Sequence, residues 1–216
     1  MELTWNGHAC LTLRSTEGRT LVMDPYLSGA FGGRIAHAPL RCQADVVSVS
    51  HYHVDHAHVT GDLGSPVVVD CSCEVAGVSF QVRPTYHDRH GGCQMGMTAM
   101  TSFTWDGLRV AHLGDIGCDL TPEDVDALGP IDILIWPTGG VYTLGPGDAR
   151  HVLEVLAPRV AIPVHYDNAR CDLGMATVDA LYGQTPYPIV RPGTSTWEST
   201  QGLSESPRVV VLEPAL

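Results

Sequence analysis

Four potential metal ligands fall within six residues at His51-Tyr52-His53-Val54-Asp55-His56. In an extended segment, residues two apart point to the same side, so His51 and His53 can grip one ion. Asp55 and His56, where the chain turns, can aim at a second ion beside it. Imidazole and carboxylate are borderline-to-hard donors that suit Zn²⁺ first and Mn²⁺ or Fe²⁺ as well, with no thiolate needed. A zinc kept only for stability is normally closed by four ligands, often cysteines, which this segment does not supply. Two divalent ions about 3.5–4 Å apart hold a water between them and lower its pKa from about 15.7 toward about 7. They also polarise the carbonyl or phosphoryl oxygen under attack, so such a site requires no serine or cysteine nucleophile.

One hexapeptide is half a site, and the remaining ligands must come from distant parts of the chain. Three later apolar runs each end in a candidate. Residues 78–82 lead to His87, residues 108–113 lead to Asp115, and residues 160–164 lead to His165. His90 lies three residues beyond His87 and is the alternative to it. The segments that must hold these residues are short runs rich in valine and isoleucine, bounded by Gly, Pro or Asp, as strands are. They span residues 3–5, 9–13, 20–23, 46–49, 67–69, 78–82, 102–105, 108–113, 131–136, 160–164 and 208–212. Helical signals are fewer. Thr121-Pro122-Glu123-Asp124 reads as an N-cap, an N1 proline and an acidic first turn. Residues 147–156 place Ala149, Val152, Leu153 and Leu156 on one helical face, and residues 175–181 are a weaker candidate. The glycine-bearing stretch 28–39 reads as a long loop, and 194–207 is a candidate linker too near the C-terminus to divide the chain.

The 216 residues suit one domain, 1–216, with 44% hydrophobic and 17% charged residues. A formal charge of −12 excludes wrapping a polyanion, and nucleic acid is therefore not an expected partner. All twelve basic residues are arginine, which removes Schiff-base lysine chemistry and the phosphate-binding loop lysine. Seven cysteines leave at least one unpaired in a monomer, and the chain is too long to need a disulfide scaffold. No targeting segment or run long enough to span a bilayer is present, so the expectation is a cytoplasmic protein without membrane insertion, acting on a small-molecule substrate. A homo-oligomer is compatible with this reading.

At these positions the chain resembles the metallo-β-lactamase superfamily, whose His-x-His-x-Asp-His motif is matched at His51, His53, Asp55 and His56. Asp24-Pro25 after a strand looks like that family's early aspartate, and His112-Leu113-Gly114-Asp115 looks like its Gly-Asp segment. Thr4-Trp5-Asn6-Gly7-His8-Ala9 and Pro163-Val164-His165-Tyr166 most resemble the branch of ascorbate-6-phosphate lactonase-like and N-acylphosphatidylethanolamine phospholipase D-like hydrolases. The resemblance runs from about Thr4 to Tyr166. It implies a four-layer αββα sandwich with two metal ions at one edge. His51, His53 and His87 would take one ion, Asp55, His56 and His165 the other, and Asp115 would bridge them. Asp55 and Asp115 would carry the catalytic role of orienting the hydroxide. One departure is the connection from the motif to the next strand, only residues 57–65, shorter than the family's helical one.

Around the metals, Asp24 is the candidate to hold a ligand imidazole by its other ring nitrogen. His8 and His112 are candidates for the same surroundings, equally consistent with hydrogen-bonded buried histidines. The segment 138–143, through Tyr142 and Thr143, is read as pocket lining, and Tyr166 as a donor to a substrate oxygen. His37, His58 and His151 are read as surface residues. The function expected is hydrolysis of a small ester, lactone or phosphodiester. Two other classes remain: a mono-iron oxidoreductase of the persulfide dioxygenase type, and a sensor that binds metal without turnover. The flavodiiron oxidases of the same fold resemble the motif with Glu where this chain has His53.

Overall fold

The computed structural model describes residues 1–199, 203 and 206–216; the expected linker 194–207 lies partly outside them. The first sheet takes β1 (Glu2–Gly7), β2 (Cys10–Arg14), β3 (Thr20–Met23), β4 (Val46–Ser48) and β5 (Val67–Val69). The second takes β6 (Cys73–Val75), β7 (Val78–Tyr86), β8 (Met97–Trp105), β9 (Leu108–His112), β10 (Ile133–Pro137) and β11 (Val160–Val164). Beyond residue 165 the chain returns to both. β12 (Ile189–Val190) and β14 (Arg208–Val210) extend the second sheet beside β11, and β13 (Thr196–Glu198) pairs with β1 in the first.

The period-two alternation of a strand decides what each face meets. Leu21, Met23 and Val46 point into the core between the sheets, with Leu3, Trp5, Leu11 and Leu13 of the same sheet and Phe80, Phe103 and Trp105 of the other. Val22 and Val47, one residue out of phase, face outward into a second apolar cluster with Tyr26, Ile35, Leu63 and Met175. β10 and β11 are buried along their whole length, which is why they read as unbroken apolar runs, as central parallel strands do. Helix Pro122–Leu128 connects β9 to β10, and helix Ala149–Leu156 connects β10 to β11. The latter buries Ala149, Val152, Leu153 and Leu156.

The expected sandwich is present in its two sheets and in the helices over the second sheet. Over the first sheet the outer layer is mostly irregular chain, with single turns at Ala30–Gly33 and Gly61–Leu63. Gly29, Gly32 and Gly33 sit at positive φ there, and the connection 57–65 is too short for more than one turn. The candidate helix at 175–181 forms only a 3₁₀ turn, Val178–Leu181. Three short strands, β6, β12 and β13, carry too few residues to show a period. β7 and β8 run further than expected: Pro84 interrupts the apolar pattern of β7, yet it lies beyond the residues that pair with β6 and so removes no hydrogen bond there.

Strand direction places the chemistry. β3 and β4 are parallel, and two antiparallel steps relate β1 to β3. In the other sheet β9, β10 and β11 are parallel, and two antiparallel steps bring β7 into the same direction. Each of β1, β3, β4, β7, β9 and β11 therefore ends with its neighbours, followed in turn by His8, Asp24, His51, His87, Asp115 and His165.

Helix Pro122–Leu128 has only seven residues and depends on its start, where Thr121 accepts from the Asp124 N–H and Asp124 accepts from the Thr121 N–H. Thr121→Ala should lower unfolding free energy by about 1 kcal/mol in urea denaturation. A change within a few tenths would mean that packing, not capping, holds this helix.

Candidate metal centre

Three carboxylates are buried where those strands end, and imidazoles surround them. One oxygen of Asp115, Oδ2, lies 3.1 Å from His56 Nε2, 3.4 Å from His87 Nε2 and 3.1 Å from His165 Nε2. His51, His53 and His87 form one group of donors, with one atom from each within 4.8 Å of the others. His8, Asp55, His56 and His165 form a second group under the same limit. The groups adjoin, since the His51 and His56 rings are 4.3 Å apart. His90, the alternative to His87, is exposed.

The second nitrogen shows how the His51, His56 and His87 rings are held. His56 Nδ1–H donates to Asp24 Oδ2 at 2.9 Å. His51 Nδ1–H donates to Ser50 Oγ at 2.9 Å, and the Ser50 hydroxyl donates in turn to Asp24 Oδ2 at 2.5 Å. His87 Nδ1–H donates to the Tyr142 carbonyl at 3.3 Å. All three rings thus turn Nε2 toward the cluster, the orientation that ligating histidines adopt. His8 is turned the other way. Its Nε2–H donates to Asp55 Oδ2 at 3.0 Å while Nδ1 faces the Cys171 thiol at 3.7 Å, which leaves Asp55 Oδ1 free.

Those contacts leave four buried atoms of the cluster without hydrogen bonds: Asp55 Oδ1, Asp115 Oδ1, His56 Nε2 and His165 Nδ1. Unpaired buried carboxylate oxygens are costly, and cations held among nitrogen and oxygen donors of this kind would satisfy them. The donor set fits divalent metal. The charge balance points the same way. Burial opposes a charged His56, but Asp115 and Asp55 beside it outweigh burial and raise its pKa well above the ordinary value. Burial likewise opposes ionised Asp115, Asp55 and Asp24, yet adjacent imidazoles hold all three below the usual carboxylate range. His51, deeply buried and next to His56, falls to about 3, and His8, buried and next to His165, to about 4.

Backbone conformation is spent on this convergence. His8, Asp24 and His165 have φ of 51°, 44° and 53°, left-handed values that cost a non-glycine residue about 1–2 kcal/mol each. All three directly follow a strand, where the chain must turn sharply to aim a side chain across the edge. Gly114, at φ 54°, lets the backbone before Asp115 pass so close that a Cβ would lie 2.6 Å from the Ala99 carbonyl oxygen and 2.8 Å from Ser50 Cβ.

Not every expected residue joins the cluster. His112 is buried with Nε2 unpartnered, and Asp24 lies close enough to oppose the fall in pKa that burial imposes. The Tyr142 side chain is exposed and reaches the centre through its carbonyl; Thr143 is buried and donates to the Gly140 carbonyl at 2.9 Å. Tyr166 turns away: its ring packs on Trp5 at 5.0 Å and it lines a cleft with Arg191, Asp179 and Glu213 that contains none of the clustered histidines. His37, expected at the surface, is fully buried against Gly7 with Nδ1 2.9 Å from the Leu216 oxygen, because the loop 28–39 folds back over the first sheet. His58 is half-buried and His151 exposed. Sequence reasoning missed Ser50 and Thr98, whose types carry no metal signal, and Cys171, which no motif sets apart from the other six cysteines; Thr98 Oγ1 accepts from the Asp115 N–H at 3.2 Å.

A family model described as the beta-lactamase superfamily domain matches residues 2–165, which hold every clustered side chain, and the chain belongs to that superfamily. A metal-dependent hydrolase of Methanoculleus marisnigri is similar at 26% identity over 239 residues, 99% of this chain and 94% of its own length. A Thermotoga maritima protein of the metallo-beta-lactamase superfamily, put forward as a Zn-dependent hydrolase, is 32% identical with a TM-score of 0.77, covering 98% of each chain. A metallo hydrolase of Ignicoccus hospitalis, 18% identical, shares the fold at a TM-score of 0.62, covering 99% of this chain and 95% of its own.

Ser50→Ala removes the link between Asp24 and His51 without touching a donor atom. Metal affinity should fall about 10–100-fold in competitive chelator titration. Unchanged affinity would show that His51 is oriented by packing alone.

Proposed function

We propose that this member of the superfamily is a metal-dependent hydrolase that acts on a small ester, lactone or phosphodiester. His51, His53 and His87 would hold one divalent ion, and Asp55, His56 and His165 a second, with Asp115 facing both; zinc suits this donor set first, and manganese or iron next. The observation that carries the reading is Asp115 Oδ2 lying within 3.4 Å of Nε2 of His56, His87 and His165. Six donors in two adjoining groups, with Asp115 against both, support a paired centre over a single iron. When bound, such ions polarise the scissile group and make a water acidic enough to attack near neutral pH.

The chain's own residues do the positioning. Asp24 and Ser50 fix the His56 and His51 rings, so that neither tautomer nor orientation has to be found during turnover. His8 occupies Asp55 Oδ2 and leaves Oδ1 for the centre. Asp55 and Asp115 present carboxylate oxygens that can accept a proton-bearing nucleophile's hydrogen and hold it in place. His53 is the half-buried member of its group, with His51 and His87 buried, so substrate enters on its side. Residues 1–216 are read as one domain, because strands formed after residue 165 join both sheets. A cytoplasmic location and a small-molecule substrate remain part of the proposal; no helix among the described residues is long and apolar enough to cross a membrane.

The test is hydrolysis of a panel of p-nitrophenyl esters, lactones and bis-p-nitrophenyl phosphate by protein purified without chelators. Turnover that a chelator abolishes and added metal restores is the expected result. Asp115→Ala should lose at least about 10³-fold in rate together with bound metal, whereas His151→Ala, on an exposed helix face, should change neither. Equal rates in the two variants would overturn the assignment.

A further inference from the structure

His56 and His51 are held by the side chains of Asp24 and Ser50, whereas the ring of His87 is held by a backbone carbonyl, that of Tyr142, 3.3 Å from Nδ1. A carbonyl can only accept, so Nδ1 carries a hydrogen there. Such an acceptor has no rotamer of its own, and its place depends on where the main chain runs. That chain is strained: Val141 and Tyr142 both adopt left-handed backbone, with φ of 52° and 70°. A β-branched residue rarely occupies this region, and it stays there only where its surroundings enforce it. Part of the enforcement is a pair of hydrogen bonds, from Leu144 N–H to the Ile116 carbonyl at 2.8 Å and from Gly140 N–H to the Leu144 carbonyl at 3.1 Å.

The rest is the room left by Gly117, two residues after Asp115. Its φ lies outside the left-handed region, so conformation does not demand glycine there. Space does. A Cβ on Gly117 would lie 2.3 Å from the Tyr142 carbonyl oxygen and 2.6 Å from both N and Cα of Asp88, far inside the about 3.5 Å at which such atoms rest in contact. The Asp88 nitrogen belongs to the peptide bond that joins it to His87. One absent methyl group therefore lets the chain that carries the His87 ring meet the carbonyl that holds it. Neither neighbour is free to retreat. The Tyr142 turn is tied down as described, and the Asp88 carboxylate accepts from the N–H groups of His90, Gly92, Gln94 and Met95 at 2.7–3.0 Å. Gly117 N–H in turn donates to the Tyr86 carbonyl at 2.9 Å, which fixes it against the end of β7.

We infer that Gly117 is a positioning residue for His87: the space it leaves sets the Tyr142 carbonyl against Nδ1 and thereby aims Nε2 at the centre. This rests on the proposed metal centre and deepens it, naming what fixes a ring that no side chain holds. The strain at Val141 and Tyr142 has a use in this light, because it delivers the carbonyl.

Chelator-competition titrations with zinc on metal-free protein test this without turnover. Gly117→Ala should weaken one ion about 10–100-fold, the loss expected when the support of a ligating imidazole is removed, and leave the other within about threefold. In a His87→Ala background the same substitution should change zinc affinity less than about threefold, because the ring it serves is gone, whereas general damage to the fold would lower affinity equally in both backgrounds. Gly147→Ala, where a Cβ meets nothing within 4 Å, should match the wild type. If Gly117→Ala does not fold, the zinc-loaded wild type carries the test through ¹⁵N–¹H spectra of its histidine rings, with His87 expected to show metal on Nε2 and a slowly exchanging hydrogen on Nδ1. Unchanged affinity in Gly117→Ala, an equal loss in both backgrounds, or a His87 ring with metal on Nδ1 or a rapidly exchanging Nδ1 hydrogen would overturn the inference alone. Wild-type protein that takes up no zinc would overturn the metal-centre reading beneath it, and the inference with it.

Discussion

Asp24, Asp55 and Asp115 are all buried at one edge of a sandwich, and removing a carboxylate from water costs several kcal/mol unless opposite charge and hydrogen bonds compensate it. Most of what is unusual in this molecule follows from that requirement. Six strands end at the same edge, each followed closely by one of the compensating side chains or by a carboxylate itself. The backbone at His8, Asp24 and His165 takes left-handed turns to complete the ring of contacts. The sheets around them, apolar on both faces of β10 and β11, supply the stability from which that strain is drawn.

Compensation is layered. Asp24 is fully satisfied by Ser50 and His56 and looks inward, away from the open side. Asp55 is half satisfied, one oxygen taken by His8 and the other left over. Asp115 stands at the centre with three imidazoles around a single oxygen. The sequence of carboxylates from closed to open is therefore also a sequence from support to chemistry, and the atoms left without partners are those that a cation would take. The pull that raises His56 in pKa is the same field that such a cation would feel.

How much of this was legible beforehand follows from the range of each interaction. The hexapeptide His51 to His56 is a local pattern, and its four candidate donors stand in the cluster because their spacing is set by six residues of chain. His87, Asp115 and His165 were found by the apolar runs ahead of them, since a buried parallel strand announces itself and its end is a short step away. His37 and Tyr166 were misplaced for the opposite reason: each is positioned by contacts with residues far away in sequence, Leu216 and Trp5. Ser50 and Thr98 carry no signal until the fold brings them to an imidazole or to the Asp115 backbone, and Cys171 is one of seven cysteines until it meets His8. The outer layer of the first sheet followed the same division. Its glycines marked a loop, but nothing local said that the loop would close over Val22 and Val47.

The account stands most directly on what occupies the space between the two groups of donors. Protein purified without chelators and analysed for metal by plasma mass spectrometry should carry about two divalent ions per chain, zinc foremost, and lose both when Asp115 is replaced. A single iron per chain, or a full folded yield with no metal and no uptake of added zinc, would contradict it.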